Sequence, residues 1–415
     1  MSVSSSSEPA VGFASFKLGP SLQRGIAAAG FTEPRPIQIE AIPSALEGRD
    51  ILGLAQTGTG KTAAFALPVL ERLLASAGPG PRILILAPTR ELASQIDAEI
   101  RSLARFTRIR TVTVFGGVSV QRQVAGLRER PEIVVACPGR LLDLMGQGAV
   151  RLDRIEILVL DEADHMFDMG FLPDVQRILA ALPSERQNLL FSATMPREIR
   201  RLAGQILERP HVVDVAHSKP LSTIEHALYP TEDRLKVGLL ERVLRQDEFV
   251  SAIVFTRTKH RARKLARQLE DSGHRVAALQ GNMSQAARER AMTGFRSHQF
   301  DILVATDIAA RGIDVKQVSH VVNFDMPNTP DAYTHRIGRT GRAERHGKAY
   351  TFVTGDDHAM VSEVERRLGA PIPRRTLDGV ECIPFPVSRP HKHASSRHKN
   401  AASAAGRSRR GRARR

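Results

Sequence analysis

The chain has 415 residues, too many for one compact domain, so two domains with tails are expected. Apolar residues make up 42%, enough for ordinary cores, but with no Trp and three Tyr a broad aromatic stacking sheet is excluded as the means of recognition. The formal charge is +16, and ten lysines and arginines with no acids fall between 389 and 415, so a basic arm extends from a mildly basic body and polyanions are the expected partners.

Residues 1–12 offer neither a basic nor an apolar run, so they read as a disordered N-terminus rather than a secretory signal. Next, DILGLA (50–55) reads as a strand and AAFALPVLERLL (63–74) as a helix, with AQTGTGKT (55–62) spanning their junction. Short apolar runs follow at 83–88, 132–138, 156–162 and 188–194, then at 251–256, 275–281, 301–307, 320–325 and 348–354. They are rich in β-branched residues and do not alternate, which points to strands buried on both faces and hence to parallel sheets. Segments such as 261–269 and 285–295 read as amphipathic crossover helices. The fold class is therefore α/β, in two doubly wound domains over 13–215 and 224–372, joined by a linker at 216–223 (AHSKPLST). Residues 373–415 lack the apolar content for a core and read as a disordered basic tail.

Cys137 and Cys382 are far apart and lack a metal-ligand pattern, which argues against a disulfide framework or zinc site and fits a reducing cytosol. No apolar run approaches the ~18 residues that span a bilayer. A soluble cytoplasmic protein with no membrane partner is expected.

The junction of strand and helix carries the first chemistry. Gly58 and Gly60 let backbone N–H groups converge on phosphates, Lys61 supplies charge for the outer phosphates, and Thr62 supplies a hydroxyl for Mg²⁺. Ala55 stands where the general phosphate-loop pattern has Gly, so the bare pattern is only partly met. A glycine-rich turn entering a helix is the bland alternative, and GKT between strand and helix disfavours it. Asp161 closes the strand EILVL, where ligands of α/β sheets sit, and suits Mg²⁺; Glu162 beside it could accept a proton from attacking water. Alone, DEAD would be an acidic turn. With GKT upstream it reads as hydrolytic machinery.

AQTGTGKT, PTRELA (88–93), DEAD (161–164), SAT (192–194), ARGID (310–314) and HRIGRTGR (335–342) follow one another as in DEAD-box ATP-dependent RNA helicases, a superfamily 2 family that the chain resembles over roughly 13–370. GLAQTGTGKTAAFALP and MFDMGF resemble the bacterial RhlE-type branch. The resemblance implies two tandem RecA-like domains, each a mainly parallel sheet flanked by helices, that close on ATP and RNA. It implies that ATP is held by Phe13, Gln38, Ala55, Gln56, Thr57, Gly58, Thr59, Gly60, Lys61, Thr62 and Asp314, with Phe13 stacked on adenine, Gln38 reading the adenine edge and Asp314 on the ribose. An amide such as that of Gln38 suits an adjacent donor and acceptor. Mg²⁺ would be held by Thr62 and Asp161, partly through water. Catalysis would rest on Lys61, Asp161, Glu162 and two arginine fingers, Arg339 and Arg342. Ser192, Thr194, His335 and Arg336 would couple phosphate state to closure. Arg90, Gly117, Arg140, Gln285, Arg288 and Thr306 would grip RNA phosphates and sugars with little sequence preference.

Two positions depart from the family pattern. Arg35 stands in PRPIQ where Thr or Ser is usual, and is expected to loosen the adenine pocket. Cys137 replaces the Thr of the usual TPGR, removing a hydroxyl from an RNA contact. The expected activity is RNA-dependent ATP hydrolysis that clamps RNA and opens short duplexes, with ribosomal or RNA-decay complexes as candidate partners. The alternatives are an ATP-gated clamp or assembly scaffold with little unwinding, and, less favoured, a DNA translocase.

Overall fold

The computed structural model describes residues 12–56, 58–215, 224–246, 248–310, 318–341 and 347–376. Thr57, the expected linker 216–223, Asp314, Arg342 and the tail beyond 376 lie outside the described residues.

The first domain carries β1 (Ile51–Leu54), β2 (Ile83–Leu86), β3 (Thr111–Val114), β4 (Ile133–Ala136), β5 (Ile157–Leu160), β6 (Gln187–Ser192) and β7 (His211–Asp214). They form one parallel sheet in the order β3-β4-β2-β5-β6-β1-β7. Successive residues of its inner strands enter opposite cores. Ile83 and Ile85 join one apolar cluster; Leu84 and Leu86 join the other. Each fully buried Leu or Ile contributes about 1.5–3 kcal/mol, so a strand apolar at every position stabilises both layers of helices at once. The helix Lys61–Ala75 covers one face, burying Phe65 against Phe191 of β6 with ring centres 5.5 Å apart.

The second domain carries β8 (Ile224–Pro230), β9 (Ala252–Thr256), β10 (Val276–Leu279), β11 (Ile302–Thr306), β12 (His320–Asn323) and β13 (Gly347–Val353). These also run parallel, in the order β10-β11-β9-β12-β13-β8, between two apolar clusters. The helices Lys259–Asp271 and Gln285–Arg296 occupy the segments read as crossovers.

Strand order positions the site. β5, β6 and β1 are neighbours, so the segments leaving their carboxyl ends (DEAD, SAT and the glycine loop) emerge side by side. In the second sheet β11, β9 and β12 are neighbours in the same way.

Three strands were not foreseen: β3, β7 and β8 lie at sheet edges. Only one residue of β7, Val213, is buried. An edge strand needs few apolar residues, so it makes no continuous run. The tail also begins later than its composition suggests. Leu228 of β8 donates its N–H to Pro373 O at 2.8 Å, and Arg375 N–H donates to Leu228 O at 2.9 Å. Backbone pairing with β8, rather than apolar burial, holds 373–375 in place. Among the described residues no helix is long and apolar enough to cross a membrane.

Candidate functional site

The loop after β1 delivers Lys61 to the first turn of its helix. Gly60 caps that helix at φ +93, where side-chain-bearing residues are strained, and a Cβ there would stand 2.5 Å from Gln38 Nε2. Lys61 is 6% exposed; its Nζ has no hydrogen-bond partner among the described residues and lies 3.6 Å from Asp161 Oδ1. Burial is the largest single influence on the ammonium and opposes its charge, but Asp161, Glu162 and Asp164 together outweigh it and raise its pKa. A buried, under-bonded cation at a helix N-terminus is suited to phosphate. Around it, Ala55 N–H donates to Ser192 O at 3.0 Å and Thr59 Oγ1 donates to Gln56 O at 2.8 Å. Thr62 is half-buried one residue further on.

The Gln38 amide is built into this loop. Its Oε1 accepts Arg35 N–H at 2.9 Å and its Nε2 donates to Gly60 O at 3.0 Å. One N–H and one lone pair remain, the pair that an adenine edge needs. Arg35 does not loosen the pocket as expected: its guanidinium donates to Gly58 O and braces the loop, a reach beyond Thr or Ser. Phe13 is 4% exposed, edge-on to Phe16 and Phe31 at 5.8 Å each. The ring sits in an aromatic cluster, without the open face that a stacking platform presents.

DEAD and SAT are one hydrogen-bonded unit. Ser192 Oγ accepts from Asp164 N–H at 3.2 Å and donates to Thr194 O at 2.8 Å. Asp164 Oδ2 accepts from both Thr194 N–H and Thr194 Oγ1 at 2.9 Å. Burial opposes ionisation of Asp164, but His165, His335, Lys61 and the Thr194 hydroxyl pull its carboxyl below the usual range. Asp161 goes the other way, pushed up to about 6 by burial despite the opposing pull of Lys61. Glu162 is 3% exposed and starts the helix Ala163–Asp168 from the left-handed region at φ 52. His165, which sequence reasoning passed over, lies 2.7 Å from its carboxylate through Nδ1.

The second domain presents the end of the helix Pro330–Ile337 to these acids. His335 sets its ring edge-on to His165, centres 5.1 Å apart. Burial, then His165, lower its pKa to about 4, so it stays neutral. Arg339 is 5% exposed and shares a small cavity with His165, His335, Asp307 and Arg336. Arg336 is fixed within its own domain. It grips Asp307 with two bonds of 2.5 and 2.7 Å, and donates to Asn323 Oδ1 and Asp325 O at 3.2 and 2.7 Å. The expected coupling residues thus divide: Ser192 and Thr194 hold DEAD, His335 meets it across the domains, and Arg336 mounts the helix that brings His335.

Of the expected RNA residues, Arg90, Gln285 and Arg288 line a second interdomain cleft of about 390 Å³, together with Glu91, Phe115 and Val118 among others, while Gly117, Arg140 and Thr306 are not in its lining. Arg90 lies 4.9 Å over the Phe115 ring with its Nε buried and unbonded among the described residues. Gly117, at φ +76, lets it pass where a Cβ would overlap Arg90 Nη1. Arg140 reaches Val118 O at 3.4 Å, and Gln285 donates to Glu289 at 3.0 Å. Arg288 differs from expectation: it donates to Glu91 Oε1 at 3.0 Å and to Ala309 O at 3.3 Å, so its guanidinium joins the two domains. Thr306 ends β11, three residues before Ala309. Cys137 is the N-cap of the helix Pro138–Gly146 but makes no capping bond; burial pushes its thiol up to about 12.

Family models agree with this architecture. Residues 35–202 match the DEAD/DEAH box helicase model, and 235–344 match the helicase conserved C-terminal domain. A relative from Limosilactobacillus reuteri, the ATP-dependent RNA helicase CshA, is 43% identical over 85% of this chain and 71% of its own length. The chain belongs to the DEAD-box ATP-dependent RNA helicases. The Geobacillus kaustophilus DEAD-box helicase CshA is 41% identical to this helicase over 85% of the chain and 76% of the relative. Among solved structures, S. cerevisiae Dbp5 bound to RNA and ADP BeF3 is 32% identical, with a TM-score of 0.79 over 88% of the helicase and 96% of that chain. The two sheets of the helicase are tandem RecA-like domains.

Proposed function

We propose that the helicase clamps single-stranded RNA between its domains and opens short duplexes, powered by RNA-stimulated ATP hydrolysis. The observation that carries this reading is the meeting of His335 and Arg339 of the second domain with His165 of the first, which holds the buried Glu162, across one cleft. ATP on the loop 55–62 would face Arg339, so the nucleotide is fully surrounded only when the domains are together. Lys61 binds the outer phosphates. Thr62 and Asp161 are the residues that would hold Mg²⁺, which when bound supplies charge neutralisation at the phosphates. The oxygen of attacking water forms a bond to the γ-phosphorus as the bond to the ADP oxygen breaks; the proton of the water goes to Glu162. Arg339 stabilises the charge that spreads over the transferring group.

RNA would lie along the cleft of Arg90, Arg140 and Gln285, held by phosphates and sugars. ATP and RNA each favour the same closed state, so each tightens the other. Residues 389–415 would act as a sequence-indifferent tether to structured RNA, in a cytoplasmic setting such as ribosomal or RNA-decay complexes.

The test is steady-state phosphate release with no nucleic acid, with RNA and with DNA of the same sequence, using Glu162→Gln as control, followed by release of a short duplex. Stimulation by RNA alone, with ATP-dependent strand release, is expected. Equal stimulation by DNA would overturn the RNA reading; turnover without strand release would leave a clamp.

A further inference from the structure

We propose that His165 is a positioning residue for hydrolysis: its imidazole aims the Glu162 carboxylate, and His335 of the second domain completes the hold. The inference rests on the reading of Glu162 as proton acceptor.

Glu162 and His165 are three residues apart at the start of one short helix, a spacing that places both side chains on the same face. Their contact is short, 2.7 Å from Nδ1 to Oε2, and the two side chains are 4% and 3% exposed. Water therefore does not compete for it. Glu162 also has left-handed backbone geometry, at φ 52 and ψ 53, which a residue with a side chain adopts only where its surroundings impose it. Backbone and imidazole together fix the direction of this carboxylate from both ends.

The contact also has a chemical polarity. An ionised carboxylate only accepts, so Nδ1 carries the proton and donates to Oε2. Nε2 is buried and has no hydrogen-bond partner among the described residues. A packing histidine would more ordinarily satisfy both nitrogens. Here one is used on the reacting carboxylate, while His165 lines the cavity shared with His335 and Arg339, whose volume of about 20 Å³ has room for one water.

His335 makes the arrangement conditional. Its ring meets His165 edge-on, 5.1 Å between centres and 83° between planes, and it comes from the other domain. With the domains apart, the imidazole would be free to turn and the carboxylate would lose its fixed aim. Domain closure would thus complete the hydrolytic geometry as well as deliver Arg339. The groups facing the pair include Lys61, Asp161 and Asp164 of the first domain and His335 and Arg339 of the second.

The experiment measures kcat and KM for RNA-stimulated ATP hydrolysis by the full chain carrying His165→Leu, His165→Asn or His165→Gln, alone and with Glu162→Gln. The amide of Asn stands near Nδ1, whereas that of Gln extends past it. Removing a hydrogen-bond partner that orients a reacting group costs roughly 10–100-fold. We expect His165→Leu to lower kcat by about that factor with KM for ATP nearly unchanged, and His165→Asn to recover most of the loss. In a Glu162→Gln background, His165→Leu should remove nothing more. Equilibrium dialysis of ATP reports whether the Leu variant is folded; if it is not, Asn active and Gln inactive supports the inference, and equal activity of the two overturns it. Full kcat in His165→Leu with Glu162→Gln inactive overturns this inference alone. Full turnover in Glu162→Gln overturns the proton-acceptor reading as well.

Discussion

The carboxyl edges of the two sheets are opposite in charge and in self-sufficiency. In the first domain Lys61, Asp161, Glu162 and Asp164 are all 6% exposed or less, three acids against one ammonium. Buried like charges repel and desolvation penalises each, which is why Asp161 sits as high as about 6. In the second domain Arg336 is 3% exposed, yet Asp307, Asn323 and Asp325 satisfy it without leaving that domain. One domain keeps an unbalanced site; the other keeps a balanced mount from which His335 and Arg339 reach across. The difference teaches why, on the proposed mechanism, the chemistry would belong to the first domain and its timing to the second.

The comparison breaks most severely at Arg339. Arg339→Ala should reduce RNA-stimulated turnover by ~10³ or more, the scale of an arginine finger, while ATP binding by the first domain survives; phosphate release and equilibrium dialysis check the two halves. Next comes the mount. Arg336→Ala leaves the half-buried Asp307 without its cation and strips Asn323 and Asp325 of a donor, and should cost about 1–3 kcal/mol in the second domain, read by denaturant unfolding. A loss shared equally by both domains would mean that they are not separate in stability. The Arg288–Glu91 pair, 3.0 Å and largely buried, should show about 1 kcal/mol of coupling in a double-mutant cycle on RNA affinity.

Acidity sharpens the same contrast. His335 is held at about 4 against an ordinary 6.5, because burial against the first domain disfavours its charged form. A base that resists protonation when closed and accepts it when open weakens closure as pH falls below about 6.5, down toward 4. ATP-dependent RNA affinity should therefore fall across that window, and His335→Gln should flatten the fall. A last effect, on stability alone, is at Cys137: Thr there gains an N-cap bond, worth about 0.5–2 kcal/mol in thermal unfolding of the first domain.

What was legible in the sequence followed from local patterns. Inner strands such as β2 and β5 announce themselves because both faces are buried, Asp161 and Ser192 because they stand at strand ends, and Lys61 because it opens the helix after a glycine loop. The edge strands β3 and β7 were hidden by their partial burial. Hidden too was whatever depends on side-chain direction or on the other domain. The motif PTRELA contains Glu91, but nothing local says that it meets Arg288, 197 residues away. His165 follows DEAD directly, and only coordinates show it turned back on Glu162. Arg35 read as a weakness because the reach of its side chain to Gly58 O is invisible in a substitution pattern.

The short pairing at Leu228 has a consequence for solubility. β8 is the last strand of its sheet, and an open strand edge is a template on which a second chain can add. Pro373 and Arg375 close it with their own backbone, while Arg374 and Arg375 pair with Glu365 and Glu225 and place cations along the rim. A chain cut at 372 would keep both RecA-like sheets and both clefts but expose a sticky border. It should self-associate with rising concentration, whereas one cut at 376 should stay monodisperse in light scattering.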